Sequence, residues 1–301
     1  VPVLRQRLIL GPILIALIVL GVWLDEAIDD LPTPDRLDWI PGMSETFPPG
    51  VIALLVCVLL CIFGTLELAR ILRDKGIGVS KRVMSLSATT GLVTQALVPS
   101  QVDGVTGFAL ASMIATMVLS AALAFHSRNR TVEGVVAAAG GTLLAFVYLG
   151  LMLGFVVAIR REHSGWTLLW VLVTTKSCDI GAYFTGRAIG RHKLIQWLSP
   201  GKTWEGFFGG VLFAGVVGGI GAWVLSEVGV NSPSSIAIGT LAGLAFGVVG
   251  QAGDLIASLF KRDAGIKDAG HVLPGFGGVL DVLDSLLLAL PVAYWILKAG
   301  A

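Results

Sequence analysis

Three stretches place side chains that do not belong in hydrocarbon beside long apolar runs. In "TTKSCDIGAYF" Lys176, Asp179 and Tyr183 follow at i, i+3 and i+7, and in "GQAGDLIASLFKR" Gln251, Asp254, Ser258 and Lys261 continue the same spacing. In "VLDVLDS" Asp281, Asp284 and Ser285 open a third face. On a helix these spacings put each set on one side. An ionisable group at the bilayer centre costs about 2.5 to 3.5 kcal/mol on insertion scales, so it persists only with a partner or a use. Carboxylates crowded in a partly dry pocket repel one another unless a cation intervenes, and Mg²⁺ is usually held by one or two carboxylates plus substrate phosphates. Asp254, Asp281 and Asp284 are therefore candidate ligands. Lys202, Lys261, Arg262 and Lys267 suit the anionic groups of a substrate, Arg with a bidentate grip. "LPGFGG", ahead of the third face, adds backbone N–H groups at a helix N-terminus. The chemistry these residues point to is metal-assisted phosphoryl or nucleotidyl transfer on a substrate that arrives from the membrane. For Lys176 and Asp179 the alternative is a buried pair that only neutralises itself.

The elements that must position these residues are transmembrane helices. Of 301 residues 55% are hydrophobic and 14% charged, against about 25% charged in a soluble domain. The expected class is an all-α polytopic integral membrane protein. Nine hydrophobic runs suit a bilayer core: about 8–24, 50–69, 83–99, 105–125, 132–159, 164–185, 207–226, 234–260 and 279–297. With the N-terminus inside, sixteen of the 21 Lys and Arg fall on the inner side and four, including Arg160 and Arg161, on the outer. That bias predicts N-in, C-out and sends the three polar faces to the cytoplasmic end. The first run is retained as a span rather than a cleaved leader, since no small-residue cleavage site ends it. Residues 1–130 read as scaffold and 131–301 as the catalytic region.

Net charge is +1, and orientation already accounts for the basic residues, so no nucleic-acid partner is implied. Cys57, Cys61 and Cys178 imply neither a disulfide nor a zinc site. Glycines at four-residue spacing, Gly215 with Gly219 and Gly239 with Gly243 and Gly247, suit close helix packing or a homodimer contact. "PGKT" at 200–203 is not a P-loop, because Gln196 stands where that motif needs Gly.

The motif formed by Ser258, Lys261, Arg262, Lys267, Asp268, Pro274, Gly275, Gly277, Gly278, Asp281 and Asp284 resembles the signature of the phosphatidate cytidylyltransferase (CDP-diacylglycerol synthase) family. The similarity extends upstream through "CDIGAYFTGRAIGRHK", "LSPGKTWEGFFGG" and "GQAGDL" and covers roughly residues 178–290, while the N-terminal half matches in hydropathy alone. Two positions depart: Phe276 replaces the usual His and Val282 the usual Arg.

The resemblance implies CTP and phosphatidate as substrates, CDP-diacylglycerol and pyrophosphate as products, and a bacterial cytoplasmic (inner) membrane with the site facing the cytoplasm. It implies Mg²⁺ on Asp254 and Asp281, with Asp284 orienting that shell or binding a second cation. Lys202, Lys261, Arg262 and Lys267 would hold phosphates, and Asp179 would line the pocket. A CTP-dependent lipid-alcohol kinase and an ion-coupled transporter stand as alternatives. The charges gather at one face rather than the midplane, which argues against the transporter.

Overall fold

In hydrocarbon every backbone polar group must bond within its own segment, so long apolar runs become helices. The computed structural model describes residues 2–29, 31–33, 46–97, 104–128, 132–230, 235–267, 269–270 and 277–300. The helices are α1 (Pro2–Asp29), α2 (Val51–Asp74), α3 (Lys81–Leu97), α4 (Gly104–Ser127), α5 (Val135–Leu144), α6 (Met152–Glu162), α7 (Gly165–Ile189), α8 (Trp204–Glu227), α9 (Ile236–Asp263) and α10 (Val279–Gly300). A π-helical segment, Ala145–Leu151, joins α5 to α6 in one rod. Strands β1 (Lys193–Ile195) and β2 (Ser199–Thr203) form an antiparallel hairpin between α7 and α8.

Among the described residues, seven helical rods are long and apolar enough to cross a membrane. The chain is an all-α integral membrane protein. The two remaining expected spans have physical reasons to look different. Helix α3 has only 17 residues, and α7 carries Lys176, Asp179 and Arg187. Both are nevertheless packed inside the bundle, α3 against the π-helical segment and α7 against α8.

Contacts at its termini show which way each helix runs. The N-termini of α2 and α7 meet the C-terminal part of α1: Asp25 accepts from the amides of Ile52 and Ala53 at 2.9 and 3.1 Å, and Glu26 accepts from Ser164 Oγ at 2.7 Å. The C-terminus of α2 reaches the end of α9, where Lys75 Nζ lies 2.9 Å from Asp263 Oδ1. The hairpin at the end of α7 meets α9 there too, through Arg262 Nε and the Leu198 carbonyl at 3.4 Å. The bundle thus has a hairpin end and an opposite end.

The opposite end is closed by Arg160 of α6. Its side chain is 4% exposed and pairs with Asp25 and Asp29 of α1. Neighbouring Arg161 donates to the carbonyl of Ala96 at the end of α3. Sequence reading counts both as outer loop charges; in the structure they are interhelical ties.

The glycine ridges are used within the chain. A Cβ on Gly243 of α9 would sit 2.3 Å from the Ala214 carbonyl of α8, and one on Gly218 of α8 2.5 Å from the Gly239 carbonyl. Trp170 of α7 locks the seam by donating Nε1–H to the Gly218 carbonyl at 3.0 Å. The largest apolar core joins α2, α3, α6, α7, α9 and α10. Helices α1 and α4 present apolar side chains outward, Ile15 64% and Met117 61% exposed, as a lipid-facing surface requires.

Removing one partner of a buried ion pair leaves the other charge uncompensated. Arg160→Ala is expected to lower stability by about 3 to 5 kcal/mol, read as a fall in the thermal midpoint of the detergent-solubilised protein.

Candidate active site

The three polar faces meet. From α7, Lys176 Nζ lies 2.7 Å from Ser285 Oγ and 3.4 Å from Asp284 Oδ1 on α10, and 3.9 Å from Asp179 Oδ2 on its own helix. From α9, Gln251 donates Nε2–H to Asp179 Oδ1 at 3.1 Å and accepts from Lys202 Nζ at 2.7 Å. Lys202 also pairs with Asp254 Oδ2 at 2.6 Å. The carboxyls of Asp254 and Asp284 face one another within hydrogen-bonding reach. Lys176 and Asp179 are therefore more than a self-neutralising pair: the lysine bridges two helices, and the aspartate is held by a third.

Lys202 gets there because of the hairpin. Along β2 Pro200 and Gly201 are exposed, Lys202 is half-buried and Thr203 is buried. Thr203 Oγ then accepts from the Gly206 amide at 3.1 Å as the N-cap of α8. His192 clips the same turn, with Nδ1 2.6 Å from Glu205 Oε1. A cavity of about 490 Å³ opens between α7, the hairpin, α8 and α9, lined among others by Asp179, Tyr183, Arg187, Lys202, Gln251 and Asp254. Side-chain exposure falls from Asp179 (41%) and Asp254 (26%) on the cavity wall to Asp284 (10%) behind it.

Asp281 sits beside this group with different partners. Its Oδ1 pairs with Lys261 Nζ at 2.8 Å, and its Oδ2 accepts from the amides of Ala269 and Gly278 at 3.0 and 2.8 Å. Arg262 is exposed and holds the hairpin, and Lys267 is exposed in the α9–α10 connection. Val282 is half-buried on α10. Asp268, Pro274, Gly275 and Phe276 lie outside the described residues.

The donor set suits a cation shared with a substrate. Lys176, Lys202 and Lys261 stand among Asp179, Asp254, Asp281 and Asp284, three positive charges among four negative. Two of those carboxyls adjoin, a placement that a cation or a shared proton relieves. Among the described residues no three His, Cys, Asp or Glu side chains are grouped as a metal cage. Mg²⁺ here would keep a shell completed by water or phosphate oxygens, as it commonly does.

Sequence reasoning missed several contributors. Sequence reading places Gln251 on the face of Asp254 but gives it no role, and the structure makes it the bridge from Lys202 to Asp179. Arg187, read as an orientation charge, lines the cavity, where its Nη1 donates to Tyr183 Oη at 3.0 Å. Tyr148, on the π-helical segment, is 6% exposed and close enough to Asp254 and Asp284 to interact with both. Glu67 of α2 reaches the first turn of α10, with its oxygens 2.9 Å from the amides of Val279 and Leu280. A single Glu or Tyr in an apolar run gives no periodic signal.

Similarity to known proteins extends over most of the chain. The pattern of the cytidylyltransferase family matches residues 45–299. The chain is 32% identical over 272 residues to the phosphatidate cytidylyltransferase of Bacillus subtilis, covering 85% of this chain and 97% of that protein. It is 32% identical over 243 residues to the phosphatidate cytidylyltransferase of Staphylococcus haemolyticus, covering 81% and 88%. With that of Haemophilus influenzae it shares 39% over 158 residues, 50% and 54% of the two chains. The family match begins in front of α2, so it takes in Glu67 and Tyr148 and reaches well beyond the expected 178–290.

Lys202 compensates Asp254 where two carboxyls already adjoin. Lys202→Met is expected to lower stability by about 1 to 3 kcal/mol, measured by thermal unfolding, with Lys202→Arg largely restoring it.

Proposed function

The chain belongs to the cytidylyltransferase family, and from that premise we propose that it joins CTP to phosphatidate, yielding CDP-diacylglycerol and pyrophosphate. The observation that carries this reading is the network of hydrogen bonds and ion pairs running from Lys202, Gln251 and Asp179 on the wall of the cavity through Lys176 to Ser285 behind it. It offers cations and carboxylates together, the combination that a phosphate nucleophile and a triphosphate require.

A phosphate oxygen of the lipid attacks the α-phosphorus of CTP; the new P–O bond forms as the bond to the β-phosphate oxygen breaks, and pyrophosphate leaves with that electron pair. The nucleophile is already an anion, so no strong base is needed, and catalysis rests on positioning and charge neutralisation. Asp254 and Asp281 would hold Mg²⁺, which supplies neutralisation of the triphosphate; Asp284 would orient that shell or take a second cation. Lys202 and Lys261, now on Asp254 and Asp281, are placed to hold phosphate oxygens. Lys267 and Arg262 stand exposed at the same end, where a nucleotide from solvent would first meet positive charge. Asp179 lines the opening.

The same proposal includes nine spans and an inward-facing hairpin end in a bacterial cytoplasmic membrane. Arg160 and Arg161 are tied up inside the bundle at the opposite end. Without them, the loop charge favours the hairpin end still more strongly as the inner side.

The test is pyrophosphate release from CTP and phosphatidate with Mg²⁺, with thin-layer separation of the labelled lipid product. CDP-diacylglycerol is expected, and Asp254→Asn and Asp281→Asn should each lower kcat by about a hundredfold or more. Release of CDP with a newly phosphorylated lipid, or full activity in Asp254→Asn, would overturn the reading.

A further inference from the structure

Glu67 is a carboxylate inside an apolar helix, 6% exposed. Its hydrogen-bond partners among the described residues are backbone amides: Val279 N–H donates to Oε1 and Leu280 N–H to Oε2, both at 2.9 Å. These are among the first amides of α10, which have no acceptor inside their own helix. A negative charge at that terminus is also favoured by the helix dipole.

A cap from a neighbouring residue in sequence is not available to α10. The residue preceding it is Gly278, and a Cβ there would lie 2.4 Å from Glu67 Oε2; one on Gly270 would lie 2.5 Å from Oε1. The carboxylate is thus wedged between Gly270, midway along the connection that leads from α9 into α10, and Gly278, its last residue. Asp281 grips the same two places, taking the amides of Ala269 and Gly278 on Oδ2. That leaves its Oδ1 directed to Lys261. One clasp comes from α2 and the other from the first turn of α10, and between them they set where Asp281 and Asp284 stand.

We propose that Glu67 is a positioning residue of the transfer reaction, holding the first turn of α10 from α2 so that Asp281 and Asp284 face Asp254 and Lys261. The role in catalysis rests on the function proposed above; the role in holding α10 does not.

The experiment uses the full chain in nanodiscs, with Glu67→Ala, Glu67→Asp and Glu67→Gln. Glu67→Ala is expected to lower kcat about tenfold to a hundredfold, the scale on which small misplacements of reacting groups act, with KM for CTP changed by less than about threefold. Amide exchange should quicken over 277–284 and stay unchanged across α7 to α9. Glu67→Gln keeps the shape and one carbonyl acceptor, so it should fall between Glu67→Ala and the native chain, and the shorter Glu67→Asp should resemble Glu67→Ala. Native kcat in Glu67→Ala, or a loss accompanied by faster exchange throughout α7 to α9, overturns the proposal. If Glu67→Ala does not accumulate, Glu67→Gln decides by the same two readouts: lower kcat with exchange faster only over 277–284 supports it, and native values overturn it. If the native chain transfers no cytidylyl group, the reaction is wrong but the exchange comparison still judges the clasp, and unchanged exchange over 277–284 sinks it.

Discussion

A charge in a low-dielectric interior must meet a counter-charge or hydrogen-bond donors. That constraint fixes how α7, α9 and α10 stand to one another. Lys176 cannot reach Ser285 and Asp284, nor Gln251 reach Asp179 and Lys202, unless the three helices approach in one register. Gly250 and Gly253 of α9 permit the approach, since a Cβ on Gly253 would lie 2.4 Å from the Asp284 carbonyl and one on Gly250 3.1 Å from Thr175, and the polar network selects one arrangement from those that packing alone would allow. A lone Asp254 would be a liability. Joined to Lys202 on one side and to Asp284 on the other, it becomes part of a reactive surface.

The two ends of the bundle resolve the same problem in opposite ways. At the end closed by Arg160 one guanidinium is shared by Asp25, Glu26 and Asp29, with Arg160 and Asp25 almost fully buried and Asp25 also capping α2. The cluster acts as a tie between α1, α2 and α6. At the hairpin end the carboxylates exceed the lysines and the cavity keeps them in reach of solvent. Exposure suits a triphosphate with its counter-ion, and burial with hydrogen bonds suits a structural tie.

The parts of the architecture that could be read from sequence were the periodic ones. Charges at i, i+3 and i+7 in apolar runs identified the helical faces that do converge, and glycines four apart identified a real seam. Pairings distant in sequence left no such trace. Arg160 reads as a loop charge until Asp25, 135 residues away, is seen beside it. Glu67 and Val279 are 212 residues apart. The hairpin escaped because β1 has three residues and β2 contains Pro200 and Gly201, so neither shows a strand pattern. Helix α7 illustrates a conflict: the residues that join it to the polar network, Lys176 and Asp179, are those that lower its resemblance to a membrane span. The motif placed Asp281 among the metal ligands, and chemistry alone does not foresee that Lys261 and two amides already surround it.

The central claim is that carboxylates brought together from α9 and α10 hold a divalent cation jointly with the nucleotide. Electron paramagnetic resonance of Mn²⁺, used in place of Mg²⁺ with CTP and the native chain in nanodiscs, tests it most directly. A bound-Mn²⁺ signal that depends on CTP and is abolished in Asp254→Asn is the predicted result. A signal of equal amplitude in the native and Asp254→Asn proteins would contradict the account.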